Sequence, residues 1–275
     1  MARVLITGSS EGLGLMAGRL LADGGHAVTL HARNEARAED ARAALPAAED
    51  VVIGELAAID GMRDLAAQAN ALGRYDAVIH NAGVGYREQR ADTTDGLEHL
   101  FAINVLAPYL LTALITPPAR LVFLSSGMHL GGEVRLDDLQ WTERSWNGAQ
   151  AYSDSKLLDV MLAFAVARRW PQALSNAVHP GWVATKMGGA GAPDDLSLAP
   201  KTQVWLAVSD NPAALVSGEY FYHQQRVETN PAARSSEIQD ELLERCAALT
   251  GTALPAMPAG TPSGSGVDQA GTEGA

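Results

Sequence analysis

The stretch RVLITGSSEGLG, residues 3–14, decides the fold. An apolar, β-branched run enters a glycine-rich turn and continues into LGLMAGRLLA, whose apolar spacing is that of a helix. Glycines at Gly8, Gly12 and Gly14 let the backbone turn tightly after a strand and come close to a ligand. The amides at the start of the following helix can then meet the charge of a pyrophosphate. Gly8, Ser9, Ser10, Gly12, Leu13 and Gly14 are therefore candidate cofactor-binding residues, with the Ser9 and Ser10 hydroxyls as added donors. The plain alternative is a glycine-rich strand-to-helix turn that binds nothing.

Outward from this turn, short apolar runs alternate with helical stretches. Strands are expected at 3–7, 27–32, 51–55, 77–80, 121–125, 175–179 and 219–223, and helices near 12–22, 35–45, 61–72, 96–115, 150–170, 201–208 and 235–249. That alternation implies an α/β fold, with a doubly wound parallel sheet of about seven strands in a single domain. Gly24 and Gly25 suit a helix C-cap, and Pro171 bars the long helix from passing Trp170. Beyond residue 250 the composition shifts to Gly, Pro, Ala, Ser and Thr, with only Asp268 and Glu273 charged. Such a segment has too little apolar area to offset the entropy of ordering, so the expectation is a domain over 1–250 and a flexible tail over 251–275.

The chain has 20 basic and 32 acidic residues, a net charge of -12, which argues against a nucleic-acid surface because such surfaces are basic. Cys246 is the only cysteine, so an intramolecular disulfide cannot form. MARVLITG enters a strand without a signal-like lead, and no apolar run approaches the roughly 18 residues of a membrane span. The expectation is a cytoplasmic protein with no membrane span.

Chemistry concentrates in AYSDSKLL, where Tyr152 and Lys156 stand four residues apart. Positions i and i+4 share a helix face, so a phenol and an ammonium can look into one cleft. A neighbouring cation stabilises a phenolate, which a proton-transferring tyrosine requires. Elsewhere, the second strand ends in LHARN, with Ala32 and Arg33 where dinucleotide folds that bind NAD carry an acidic residue. The planar fork of Arg33 suits a phosphate, so the phosphorylated cofactor, NADP(H), is expected.

TGSSEGLG, HNAG (80–83), INV around Asn104, LSS (124–126), YSDSK and HPGWVAT (179–185) follow the order and spacing of the short-chain dehydrogenase/reductase family, which this chain resembles over about residues 3–225. FLSSGMHLGGEVRLDDLQW and the long interval from Ser126 to Tyr152 further resemble its retinol-dehydrogenase-like branch. The resemblance implies a Rossmann-type domain and a catalytic tetrad of Asn104, Ser126, Tyr152 and Lys156. Tyr152 would exchange a proton with the substrate oxygen, Ser126 would hydrogen-bond that oxygen, Lys156 would hold the nicotinamide ribose, and Asn104 would help hold a water leading to solvent. Asn81, Ala82 and Gly83 match the segment that passes the cofactor, with Asn81 supporting the sheet. Pro180, Gly181, Val183 and Thr185 match the segment that meets the nicotinamide carboxamide. Glu55 and Leu56 stand where the family places an Asp that meets the adenine, a departure that weakens this contact. Members of the family often form dimers or tetramers through the helices bearing the Asn and the Tyr.

The implied activity is NADP(H)-dependent interconversion of a carbonyl compound and its alcohol, acting as a ketone or aldehyde reductase on a small molecule. Reduction of an activated carbon–carbon double bond is an alternative, and a non-catalytic nucleotide-sensing protein ranks below both because all four tetrad residues are retained. His80, His129, His179 and His223 show no metal-ligand spacing, and no metal is expected. Trp141, Trp146, Trp182 and Met187 fall where a substrate pocket could lie, though packing is the commoner role of such residues. Residues 186–200, rich in Gly, Ala, Pro and Asp, occupy the place of a substrate-covering loop.

Overall fold

Val4 and Ile6 point to one side of the first strand and Leu5 to the other, and each side meets its own apolar layer. Leu121 and Phe123 against Val122 and Leu124 repeat the alternation in a central strand. A strand with both faces apolar is stable only between two layers of helices, which is the condition for a parallel sheet. The structure, a computed structural model, describes residues 1–257.

The sheet has the order β3-β2-β1-β4-β5-β6-β7-β8, built from β1 (Arg3–Ile6), β2 (Ala27–Ala32), β3 (Asp50–Ile53), β4 (Ala77–His80), β5 (Arg120–Leu124), β6 (Leu174–Val178), β7 (Tyr220–Tyr222) and β8 (Gln225–Arg226). All pairs are parallel except β7 with β8. The seven expected strands are present, and the eighth is an antiparallel edge piece. It is joined to β7 through His223 and Gln224, whose φ angles of 46° and 63° are those of a tight hairpin turn.

Helices α1 (Gly12–Asp23), α2 (Glu35–Ala44) and α7 (Lys201–Val208) accompany the face of Val4, while α3 (Ile59–Leu72), α5 (Ala107–Leu114), α6 (Gly148–Arg169) and α8 (Ser236–Thr250) accompany the face of Leu5. Helix α6 begins where Asn147 accepts a hydrogen bond from the Gln150 amide at 3.1 Å, an N-cap. The helix expected over 96–115 starts later and is not uniform. Glu98 caps the amides of Leu100 and Phe101 with its two carboxylate oxygens, α4 spans only His99–Phe101, and a π-helical turn at Ala102–Leu106 precedes α5. Helix α8 packs across α6 and α5.

The expected flexible tail begins at residue 251, yet 251–257 is engaged with the domain. Tyr109 and Trp170 donate to the carbonyls of Thr252 and Pro255, each at 2.8 Å, and Leu254 and Met257 pack on the core. Composition hid this because the anchors are backbone carbonyls, which any residue supplies. Residues 258–275 lie outside the described residues. Among the described residues, no helix is long and apolar enough to cross a membrane.

Candidate active site

The strand order reverses between β1 and β4, and in open α/β sheets ligands bind outside the carboxyl ends of strands at that point. The glycine-rich turn lies there. Gly8 and Gly12 have φ of 61° and 58°, and a Cβ on Gly8 would come within 2.7 Å of the Ala82 Cα. Only glycine fits such a position. Ser9 is buried, and its hydroxyl donates to the Ile6 carbonyl at 2.7 Å while accepting from the His31 amide at 2.8 Å. The expectation that this hydroxyl serves an anion is therefore corrected: it pins the turn to β2. Ser10 is half-buried, Leu13 likewise, and Gly12 is exposed. Glu11 occupies the N-cap of α1 without a side-chain hydrogen bond, so the first-turn amides have no side-chain acceptor.

His31 completes the turn from below. Its Nδ1 accepts from the Gly8 amide at 2.8 Å and its Nε2 meets the Gly54 carbonyl at 2.8 Å, with burial holding its pKa below the ordinary range. From β4, Asn81 donates through Nδ2 to the carbonyls of Thr7 and Gly8 at 2.9 and 3.0 Å, and Thr7 Oγ1 accepts from the amides of Asn81 and Ala82. These bonds lock the β1 and β4 ends together, the sheet-supporting role expected for Asn81.

Arg33 is exposed at the end of β2 and enters no ion pair among the described residues. Arg37, one helical turn further, is a residue the sequence reading missed. Its guanidinium is 2.9 Å from the Glu11 carboxylate and 3.4 Å from Ser10 Oγ, so it borders the glycine-rich turn. The spacing of four from Arg33 was the available signal. Glu55 is exposed and accepts from the Ala57 amide, whereas the Leu56 side chain is buried in the core, which leaves only its backbone for a ligand.

The four tetrad candidates adjoin this crevice. A Cβ on Gly83 would lie 3.3 Å from Asn104 Oδ1 and 3.5 Å from Lys156 Nζ. Asn104, in the π-helical turn, accepts from the Val84 amide at 2.8 Å and donates to the Val84 carbonyl and to Ser155 Oγ. It thus ties the segment after β4 to the residue preceding Lys156. The serine pair divides its work: Ser125 Oγ is buried and donates to the Lys156 carbonyl at 2.7 Å, while Ser126 is half-buried and its Oγ accepts from the Met128 amide. Ser126 is therefore the serine whose hydroxyl hydrogen remains for another partner.

Tyr152 is buried, and Tyr86 meets its ring edge-on at 5.9 Å while Met187 Sδ lies 3.7 Å from its hydroxyl. Trp141, Leu100 and Ala151 pack against it, with Val84, Tyr86 and Trp146 at the margin. Lys156 Nζ sits 5.9 Å from the centre of the Tyr152 ring and donates to the Leu124 carbonyl at 2.8 Å and to Asp159 at 2.7 Å. Burial opposes the Lys156 charge, but the Asp159 carboxylate and Tyr152 outweigh it and hold its pKa above the ordinary range. Asp159, buried beside it, is raised to about 6 by desolvation despite the ammonium. This carboxylate was missed, although its place three residues after Lys156 marks it as facing the same way.

The segment after β6 closes the other side. His179 stacks on Tyr222 at 4.2 Å, and burial next to His129 and His223 lowers its pKa to about 4. Gly181 has φ of 93°, with Asp194 Oδ2 only 2.7 Å from where a Cβ would be, and Asp194 accepts from the Trp182 amide at 2.6 Å. Val183 is buried and bridges to Asp194, and Thr185 accepts from the Gly188 amide at 3.1 Å. Pro180 is half-buried. Lys186 then reaches Glu11 at 2.5 Å, linking this segment to the glycine-rich turn. Among the described residues, no group of three or more His, Cys, Asp or Glu side chains could hold a metal.

Fold and site together define a dinucleotide-type α/β domain with a buried tyrosine and a buried lysine side by side on one helix. The chain belongs to the short chain dehydrogenase family, whose profile matches residues 2–195. It is an oxidoreductase of that family. An uncharacterized oxidoreductase of Emericella nidulans is 42% identical over 260 residues, covering 93% of this chain and 99% of that protein. Human retinol dehydrogenase 13 is 30% identical, covering 92% and 86%, in keeping with the retinol-dehydrogenase-like branch. A crystal structure of an uncharacterized protein from Mycobacterium paratuberculosis superposes with a TM-score of 0.78 at 27% identity, over 93% of this chain and 95% of that one.

Proposed function

We propose that this protein is an NADP(H)-dependent enzyme that interconverts a carbonyl compound and its alcohol, working as a ketone or aldehyde reductase with Tyr152 as general acid and base. The observation that carries the reading is the convergence of buried Asn104 and Lys156 beside Gly83, with buried Tyr152 against Lys156 and half-buried Ser126 following the serine that bonds the Lys156 carbonyl, next to the glycine-rich turn. The name of the human relative, a retinol dehydrogenase, points to the same alcohol chemistry.

The residues present fit a dinucleotide. Gly12 is exposed with a positive φ at a helix start whose amides have no side-chain cap, and the missing side chain of Gly83 leaves room bordered by Asn104 and Lys156. Gly8, Gly12, Leu13 and Gly14 would hold the pyrophosphate, Arg33 and Arg37 a 2′-phosphate, Asn81, Ala82 and Gly83 the ribose side, and Pro180, Gly181, Val183 and Thr185 the carboxamide. When bound, the nicotinamide supplies a hydride to the carbonyl carbon.

The chain supplies the proton. As the C–H bond forms, the carbonyl π electrons move to oxygen, the Tyr152 O–H bond breaks, and the proton joins that oxygen to give the alcohol. Ser126 Oγ donates a hydrogen bond to the developing oxyanion. The Lys156 ammonium stabilises the phenolate left on Tyr152 until solvent returns a proton. Met187, against the Tyr152 hydroxyl, and the Tyr86, Trp141 and Trp146 rings restrict water at the reacting oxygen and favour an apolar substrate.

The test is NADPH consumption across a panel of aldehydes and ketones, with product analysis. A new alcohol supports the reading, whereas a saturated carbonyl product transfers it to double-bond reduction. Tyr152→Phe should bind NADPH normally and turn over about 10²–10⁴ times more slowly. Near-normal turnover in that variant contradicts the assigned role. On assembly, α8 covers part of α5 and α6, so self-association through those helices would have to include α8, which light scattering checks.

A further inference from the structure

The tetrad explains Tyr152 and Lys156 but not the acid behind them. Lys156 and Asp159 are both buried, with Nζ and a carboxylate oxygen 2.7 Å apart on successive turns of α6, and the third point of the grip is the Leu124 carbonyl at 2.8 Å. A buried ammonium needs a counter-charge to stay ionised. Tyr152 is neutral when it serves as the acid, so it cannot be that counter-charge during reduction.

The ionisable groups around the pair are few. Tyr152 is on the same helix, and Tyr220 on β7 is near enough to sense both Tyr152 and Asp159, its own phenol pushed up by burial. His129, in the 3₁₀ turn Gly127–Gly131, is occupied with the Ser126 carbonyl and the Tyr220 ring. The π-helical turn and β6 present no ionisable side chain, and Arg120 of β5 is at the strand's far end, bonded to the Leu206 and Ser209 carbonyls. Asp154, also on α6, is occupied with Arg144, Gln150 and the Glu133 amide, and Asp159 is the carboxylate bonded to Lys156.

We propose that Asp159 is a positioning residue: it keeps Lys156 protonated and aimed between the Leu124 carbonyl and Gly83, so that a cation stands ready when Tyr152 gives up its proton. The proposal rests on the reading of Tyr152 and Lys156 as the proton-transfer pair. Because every proton leaving the cluster is held back by the negative charge of Asp159, replacing it with a neutral group lets Lys156 lose its proton at lower pH. An opposite charge within about 4–6 Å typically moves a pKa by about 1–3 units.

The chain contains three lysines, Lys156, Lys186 and Lys201, so carbon-13 labelling at the lysine ε-carbon gives a spectrum simple enough to follow by pH. The Lys156 resonance is assigned by its loss in Lys156→Met. In Asp159→Asn its titration midpoint should fall by about one unit or more relative to the unmutated protein. Asp159→Glu, which restores the charge, should recover most of the shift. Coincident midpoints in the Asn variant and the unmutated protein overturn the proposal. If Asp159→Asn does not fold, the Lys156 resonance of the unmutated protein decides: a midpoint above the ordinary lysine value of about 10.4 supports the proposal, and a midpoint at or below it overturns the proposal. Neither readout uses turnover, so failure of the carbonyl panel and failure of this inference are separate results. In an active enzyme the alkaline limb of kcat for reduction should move down with the Lys156 midpoint, a change that packing alone would not produce.

Discussion

Replacing Gly14 with alanine would ordinarily strengthen a helix by about 1 kcal/mol, since Ala leads the propensity scale and Gly trails it. Here the sign should reverse. A Cβ at Gly14 would lie 2.6 Å from Asn81 Nδ2, 2.6 Å from the Gly8 carbonyl oxygen and 2.8 Å from Ser9 Cα. Two of those atoms are backbone and the third is the amide that fastens Thr7 and Gly8 to β4, so nothing can yield cheaply. Overpacking costs about 1–3 kcal/mol, and losing the two Asn81 hydrogen bonds costs about 1 kcal/mol each. Against the propensity gain the net loss is about 3 kcal/mol, which for a domain of this size lowers Tm by roughly 6–12 °C. Thermal melting followed by circular dichroism measures the first effect and NADPH fluorescence titration the second, since the displaced turn should bind the dinucleotide more weakly. A Gly14→Ala protein that melts at or above the unmutated temperature and binds NADPH equally well would refute the close-packing argument.

Arg33→Ala and Arg37→Ala should each weaken NADPH binding by about tenfold or more, the worth of a charge-assisted hydrogen bond, while leaving NADH binding nearly unchanged; equal losses for both cofactors in calorimetry would reject the phosphate-site reading. His80 is buried, its Nδ1 has no partner, and burial lowers its pKa to about 3. Because the unfolded chain takes up this proton first, near pH 6.5, stability should be fully present above that pH and fall by about 1.4 kcal/mol per unit on the way down to pH 3. Urea unfolding at pH 7 and pH 5 checks this, and His80→Gln, which has no titrating ring, should flatten the slope. A slope unchanged by the substitution would assign it to other groups.

Much of this architecture was legible because its signals are local. The apolar runs gave all seven parallel strands, since burial on both faces demands them, and the positive φ values at Gly8, Gly12 and Gly181 fall on glycines that the motifs already contained. β8 was not legible because its turn uses His223 and Gln224, neither a usual hairpin residue, in left-handed conformations. The π-helical turn at Ala102–Leu106 escaped because an inserted residue leaves the apolar pattern nearly intact. Within the site, Ser9 looked like an anion donor because composition cannot tell a hydroxyl facing a ligand from one spent on its own strand. His31 acts across the fold, so only coordinates reveal it, whereas Arg37 and Asp159 stand four and three residues beyond Arg33 and Lys156 and were legible as their neighbours.

The docking of 251–257 onto Tyr109 and Trp170 carries a consequence for biosynthesis. Ribosomal synthesis completes α6 well before this segment emerges, and the Trp170 indole N–H has its acceptor in Pro255. Until then the outer flank of the long helix stays wet and adhesive, so nascent chains are more prone to clump than finished ones.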